Sequence, residues 1–391
     1  MQTLKTWMPA VAGMFFLGLG AGLIGIYGFF VEPLSREFGV GVAVLNLGPV
    51  ALLLIPGIAS PLIGPLVDRL PIRRIILAGI CIAMGSLLAI SRAPTLPLAA
   101  LGFGLFVVGA VMYGPVVVNG LMVKLYPGRE ARALSIAAIG ISFATVTLPP
   151  ATGALLAVLD WREALAGLAA VLLVILWVVA LAAVPAGVVG VPADGHVRAG
   201  GTIYRQPAFW LIGLCMALGL NAAIVAAISY PVHFASEGFS VAQAGMFLSF
   251  AGASGFVGKV GVAWLGDAIR NRARWLAAGI LALQVLGFLL LLVAEGAFAA
   301  IIAMCVLGFS SGAFLPIHPF LNSRYFDAAH IGQVTGAQMP MFLPFGLVGA
   351  PLAGYVYDRT GSYELVLIGL IAAICTAALL ALRLPAPPAA P

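Results

Sequence analysis

Charge is the scarcest commodity in this chain. Only 8% of its 391 residues are Asp, Glu, Lys or Arg, where a soluble globular domain carries about 25%. A water-facing surface cannot be built from so few charges, so an ordinary soluble domain is excluded. Cysteine is nearly absent too: Cys81, Cys215, Cys305 and Cys375 are widely separated and fall inside apolar runs. They have neither the count nor the spacing of a disulfide framework or a metal cluster. No nucleophile–base constellation and no phosphate-cradling loop is found. An enzyme is therefore not expected, nor is a cofactor or a bound metal.

What fills the chain instead is apolar sequence, 63% of all residues. The runs reach 18 or more residues, long enough for a helix to cross a bilayer. A helix satisfies its own backbone hydrogen bonds, which makes it the expected form in lipid. Twelve spans are expected, at 8–31, 43–67, 74–92, 96–123, 133–158, 163–187, 206–232, 241–265, 273–294, 297–323, 331–356 and 363–384. The opening MQTLKTW reads as the start of an uncleaved first helix, because no small-residue cleavage site follows it. The expected fold class is thus an all-α polytopic membrane protein. A Gly-, Pro- and charge-rich stretch divides it into a six-helix bundle at 1–187, a linker at 188–205 and a second bundle at 206–391.

The basic residues give an orientation. With the N-terminus in the cytoplasm, fourteen Lys and Arg fall inside and four (Arg36, Arg92, Arg162 and Arg359) outside, following the positive-inside rule. Both termini are then cytoplasmic. The net charge of +6 reports this topology, and no nucleic-acid partner is implied. The two halves also repeat. GPLVDRLPIRR (64–74) matches VAWLGDAIRNR (262–272), with Asp68 and Asp267 199 residues apart. TGALLAVLDWREAL (152–165) matches LAGYVYDRTGSYEL (352–365), and YGPVVVNGLMVKLY matches FLPIHPFLNSRYF near the same offset. Three matches at one offset indicate a six-helix unit duplicated in parallel.

These residues resemble the major facilitator superfamily. GPLVDRLPIRR is similar to that family's loop between helices two and three, with Gly64, Asp68, Arg69, Arg73 and Arg74 in place and Pro71 where a glycine is usual. The resemblance implies two pseudo-symmetric six-helix bundles around a cavity, working by alternating access, usually as a monomer. Asp68 can cap a helix N-terminus and pair with a basic side chain. Asp68, Arg69, Arg73, Arg74 and Asp267 would then form a conformational latch; the alternative is that they only anchor helix ends. YGFFVEPLSREFGV (27–40), ISYPVHFASEGFSVAQAG (228–245) and LAGYVYDRTGSY (352–363) look like the monocarboxylate transporter-like and oxalate/formate antiporter-like branch.

In SGFVGKVGVAWLGD (254–267) a single lysine interrupts a segment otherwise suited to lipid. At 1.5 Å per residue, Lys259 lies about 12 Å inside the helix end marked by Asp267. A side chain about 6 Å long does not snorkel over that distance with ease. An ionisable residue at such depth costs at least about 2.5–3.5 kcal/mol on insertion scales, which makes it a functional candidate. Gly252 and Gly255, on the same face, are expected to leave room beside it. No Asp or Glu can be placed at comparable depth, and an organic anion is the simplest substrate. In the resembled branch this position carries an arginine that binds the substrate carboxylate; lysine keeps the charge and loses the bidentate fork. Gly255 stands where many of those transporters carry an aspartate, so proton symport through a carboxylate is not implied.

His318 lies about 9 Å inside the end marked by Arg324, where an imidazole can carry a proton or donate to an anion. Pro316 and Pro319 beside it would open the local backbone. The resemblance places helices one, four, seven and ten around the cavity, and so makes Tyr27, Tyr113, Asn119 and Asn221 substrate ligands. Each is equally readable as glue between helices. Gly18, Gly22 and Gly25 on the first helix read as close packing. The expected function is secondary transport of a small organic anion, a monocarboxylate, with a proton or counter-anion as coupling partner. The setting is the lipid of a bacterial inner membrane. The competing expectation is an exporter of hydrophobic drugs, disfavoured by the lack of an intramembrane acid that a cationic drug would want.

Overall fold

The computed structural model describes residues 2–45, 47–188 and 203–386; most of the expected 188–205 linker, with Arg198, lies outside the described residues. Among them no strand is found, and twelve helical stretches are long and apolar enough to cross a membrane. These are Thr6–Gly25, Gly48–Arg69, Ile72–Ile90, Leu96–Leu125, Glu130–Leu156, Trp161–Ala183, Pro207–Tyr230, Gln243–Leu265, Ala273–Leu292, Gly296–Tyr325, Ala328–Thr360 and Glu364–Leu382. Several are not single rods.

In chain order the helices are α1 (Gln2–Gly25), α2 (Tyr27–Phe38), α3 (Val42–Leu45), α4 (Gly48–Arg69), α5 (Ile72–Ile90), α6 (Leu96–Tyr113), α7 (Pro115–Leu125), α8 (Glu130–Leu156) and α9 (Trp161–Ala183). They continue as α10 (Pro207–Ser236), α11 (Val241–Leu265), α12 (Ala273–Leu292), α13 (Gly296–Phe314), α14 (Ile317–Tyr325), α15 (Ile331–Gln338), α16 (Leu343–Thr360) and α17 (Glu364–Leu382). Proline accounts for the interruptions. The fourth span breaks between α6 and α7 at Gly114–Pro115, and the tenth between α13 and α14 at Leu315–Pro316. Proline lacks an amide proton and clashes with the preceding turn. The two breaks sit at equivalent positions of the sequence repeat. The eleventh span carries a 3₁₀ turn, Met339–Phe342, between α15 and α16.

Helix starts are written locally. Asp160 caps α9 by accepting a hydrogen bond from the Glu163 amide at 2.7 Å. Ser240 and Gln243 form a reciprocal capping box at the start of α11, the pairing that satisfies two orphan amides at once. At the opposite ends of two other helices, Gly39 (φ 62°) and Gly361 (φ 70°) terminate α2 and α16 in the left-handed region that glycine adopts without penalty.

The chain divides into two compact units. Unit 1 is Met1–Pro127, Ile136–His196 and Ala328–Met339; unit 2 is Gly128–Ser135, Val197–Asp327 and Pro340–Pro391. Inside unit 1, α5 packs on α6 and α9, and α15 packs on α4 and α7. Gly18 and Gly22 of α1 face α8, at Gly140 and at Ala144 and Leu148, whereas Gly25 faces open space. Inside unit 2, α11 packs on α13 and α12 on both α13 and α17, while α10 contacts α16 and α17. The α11–α13 contact depends on small residues. A Cβ at Gly258 would overlap the Phe309 carbonyl, and one at Gly255 would stand 3.0 Å from the Gly308 carbonyl oxygen.

Candidate functional site

Lys259 sits on α11 with 7% of its surface exposed. The glycines beside it do something other than leave room. Gly255 and Gly258 let α11 meet the backbone of α13, and only Gly252 faces open space. Lys259 therefore stands on a stretch of α11 whose glycines pack on the α13 backbone.

The other candidates of unit 2 form a connected group. Asn221 on α10 is 4% exposed, and its amide donates to the Ala217 carbonyl at 2.8 Å and the Phe342 carbonyl at 3.2 Å. The second of these carbonyls lies at the start of α16, beside the 3₁₀ turn. Polar side chains satisfy freed backbone groups within a membrane. The Phe342 ring lies 5.8 Å, centroid to centroid, from the His318 imidazole. His318, 7% exposed, stands in the first turn of α14, with its Nε2 3.3 Å from the Asn322 amide nitrogen. Asn221 also lines a cavity of about 450 Å³ whose other walls are apolar, among them Leu218, Val225, Phe345 and Leu370, and whose rim carries the exposed Val348 and Leu352. That volume lies within the range of small-molecule sites, which are mostly apolar with a few placed polar groups.

Tyr27, Tyr113 and Asn119 belong to unit 1. The Tyr27 hydroxyl donates to the Leu45 carbonyl at 2.6 Å, and its ring packs on Phe103. Tyr113, the last residue of α6, is fully buried opposite Gly20, and its hydroxyl has no hydrogen-bond partner. Asn119 is buried on α7. None of the three lines the unit's own apolar cavity of about 240 Å³, where Ser60, Phe106, Pro115 and Met339 do.

The best-defined polar cluster surrounds Asp68, at the end of α4. One carboxylate oxygen accepts from Lys124 Nζ at 2.9 Å and from the Gly332 amide at 3.1 Å; the other accepts from the Gln333 amide at 2.7 Å. Lys124 also donates to the Val67 carbonyl at 2.8 Å. Asp68 thus occupies the N-terminus of α15, where unsatisfied amides and the helix dipole favour an anion. Close approach is possible because Gly64, Gly332 and Gly336 keep side chains out of the α4–α15 contact. The basic partner is Lys124 and none of Arg69, Arg73 or Arg74, of which Arg69 and Arg74 are exposed. Sequence reasoning missed Lys124 as part of this cluster, since a lysine near a helix end reads as topology. The repeat match of YGPVVVNGLMVKLY was the signal available.

Asp267 stands at the corresponding place in unit 2. Its carboxylate accepts from the Ala131 amide at 2.8 Å and the Arg132 amide at 3.2 Å, at the start of α8. Burial pushes this carboxyl above the usual aspartate range, against the pull of those two amides. Among the described residues, no group of three or more metal-ligating side chains converges.

Comparison with known proteins follows this geometry. The family model described as Major Facilitator Superfamily matches residues 10–343. Monocarboxylate transporter 13 of Rattus norvegicus is 26% identical over 372 residues, covering 91% of this chain and 83% of that protein. Monocarboxylate transporter 11 of Mus musculus is 24% identical over 373 residues, covering 92% and 82%. Among solved structures, a transporter of the superfamily called FucP, in the outward conformation, superposes with a TM-score of 0.76 at 16% identity, over 96% of this chain and 98% of that one.

Proposed function

This chain belongs to the Major Facilitator Superfamily and is an integral membrane transporter; from that premise we propose that it carries a small organic anion of the monocarboxylate class by alternating access. The observation that carries the reading is Lys259. It is a nearly fully buried cation in the interior of a spanning helix, fixed against α13 by glycine contacts. A charge at that position is expensive to insert and is kept where a substrate or ion pathway uses it. The names of the similar proteins, monocarboxylate transporters from rat and mouse, point the same way.

In this reading Lys259 attracts the carboxylate as a point charge, without the two-pronged grip of an arginine. Tyr27, Tyr113, Asn119, Asn221 and His318 are the candidate hydrogen-bond partners, with His318 also able to hold a proton. The apolar cavity beside Asn221 favours an acid with an apolar body. Asp68 with Lys124, and Asp267 with the start of α8, serve as latches whose bonds break and reform during the transport cycle. The protein lies in a bacterial inner membrane with both termini in the cytoplasm.

Uptake of labelled carboxylates into proteoliposomes tests this directly. Wild type should accumulate one class of monocarboxylate, Lys259→Ala should abolish that uptake, and Lys259→Arg should retain part of it. Uptake that Lys259→Ala leaves intact would remove the lysine from the mechanism. Transport of hydrophobic drugs with no carboxylate moved would replace the reading by drug export.

A further inference from the structure

The turn between α10 and α11 holds a cavity of a different kind. It measures about 60 Å³ and is lined by His233 and Glu237 at the end of α10, Glu364 at the start of α17, and Leu291, Leu292 and Ala300 of the α12–α13 turn. A cavity of about 10–15 Å³ already admits a water molecule, so this one has room for several. His233 keeps 7% of its surface exposed, and its Nδ1 has no hydrogen-bond partner. Buried ring nitrogens are normally satisfied. An imidazole with an unsatisfied nitrogen, in the wall of a cavity that also holds two carboxylates, marks a place for something that brings a proton.

We propose that this cavity is a proton-binding site: a proton from water bonds to the free lone pair of the His233 imidazole, and the imidazolium is balanced by Glu237 and Glu364. The groups facing the ring are accounted for on each element. From α10 comes Glu237. From α17 and its cap come Glu364 and Tyr363, whose ring meets the imidazole edge-on at 6.4 Å. Tyr357 of α16 stacks on Tyr363, and Asp358 acts on that same tyrosine. The α12–α13 side of the cavity contributes apolar lining. Burial holds the imidazole below the usual histidine range, against the pull of Glu237 and Glu364. Burial thus favours the neutral ring, and fuller hydration of the imidazole would release that restraint. Proton occupancy is thereby tied to whether this end of unit 2 is open. Its effect on transport rests on the carboxylate reading above; proton uptake itself does not.

Two measurements on the full chain separate these. A group whose folded pKa is depressed below about 6.5 gives stability that is present above that pH and lost as pH falls. Melting temperature of the detergent-purified protein from pH 8 to pH 5 should therefore fall for wild type, and the fall should be shallower in His233→Gln. Glu237→Gln/Glu364→Gln, both at exposed positions, should steepen it while leaving the histidine in place. Equal pH slopes in wild type and His233→Gln would overturn the proposal. In proteoliposomes, a pH profile of carboxylate uptake that His233→Gln flattens supports the site's role in transport, and an unchanged profile overturns that role. Absence of uptake in wild type counts against the carboxylate reading, and the melting series still decides whether His233 binds the proton.

Discussion

Asp68 and Asp267 are the same device made twice and finished differently. Each aspartate ends a spanning helix and accepts two amide hydrogen bonds from the first turn of a helix remote in sequence. Asp68 adds a lysine, with both side chains under a tenth exposed. The hydrogen bonds to Asp267 come from backbone amides, with the charge of Arg132 acting on it as well; Arg324 occupies the place in the repeat that Lys124 fills. The two caps share their backbone-amide bonds and differ in the side chain that joins them. A buried pair loses far more when one partner is removed than its net contribution when intact, because the survivor is left as an uncompensated charge. A half-exposed cap has no such survivor.

The comparison can be broken most forcefully at Asp68. Asp68→Asn should destabilise the protein by about 3–5 kcal/mol, the cost of stranding a buried charge, read as a large drop in melting temperature. Adding Lys124→Met should restore much of it, and a double-mutant cycle with no coupling would show that the pair is not the reason. Next in size is Gly332→Ala, whose Cβ would meet the Gly64 carbonyl; overpacking of this kind costs about 1–3 kcal/mol. Gly25→Ala, where nothing lies within 4 Å, serves as its silent control in the same melting assay. Smallest is Asp267→Asn, expected within about 1 kcal/mol of wild type, the scale of a cap exchanged for another good cap.

The pH dependence at Asp267 sharpens the contrast. Its carboxyl is raised by burial, so the folded state holds the proton more tightly than the unfolded one. Its stabilising effect is therefore present below the ordinary aspartate pKa and is lost as pH rises through the folded value. Wild type should lose stability relative to Asp267→Asn between about pH 4 and neutrality; a parallel pair of melting curves would refute the assignment.

Much of this molecule was legible because lipid leaves few choices. Twelve apolar runs and a 200-residue repeat were enough for the fold class, and the superfamily motif drew attention to Asp68. What escaped the sequence was whatever depends on which neighbour a side chain meets. Lys124 reads as one more basic residue at a helix end until α4 and α7 are seen together. Gly255 looked like space beside Lys259 and proved to be the contact with α13. The breaks at Gly114–Pro115 and Leu315–Pro316 were half visible, since proline announces an interruption but not whether the span continues past it. His233 was overlooked because it ends a span, and its cavity is assembled from four helices that periodicity cannot bring together.

The central claim is that Lys259 meets a carboxylate. Its most direct test is the thermal stability of the detergent-purified protein against a panel of carboxylates, for wild type and Lys259→Ala. A ligand at a hundred times its dissociation constant stabilises by about 2.7 kcal/mol. Stabilisation of wild type by particular monocarboxylates, absent in Lys259→Ala, is the predicted result and would name the substrate. Equal stabilisation of both proteins, or none by any acid, would contradict the claim.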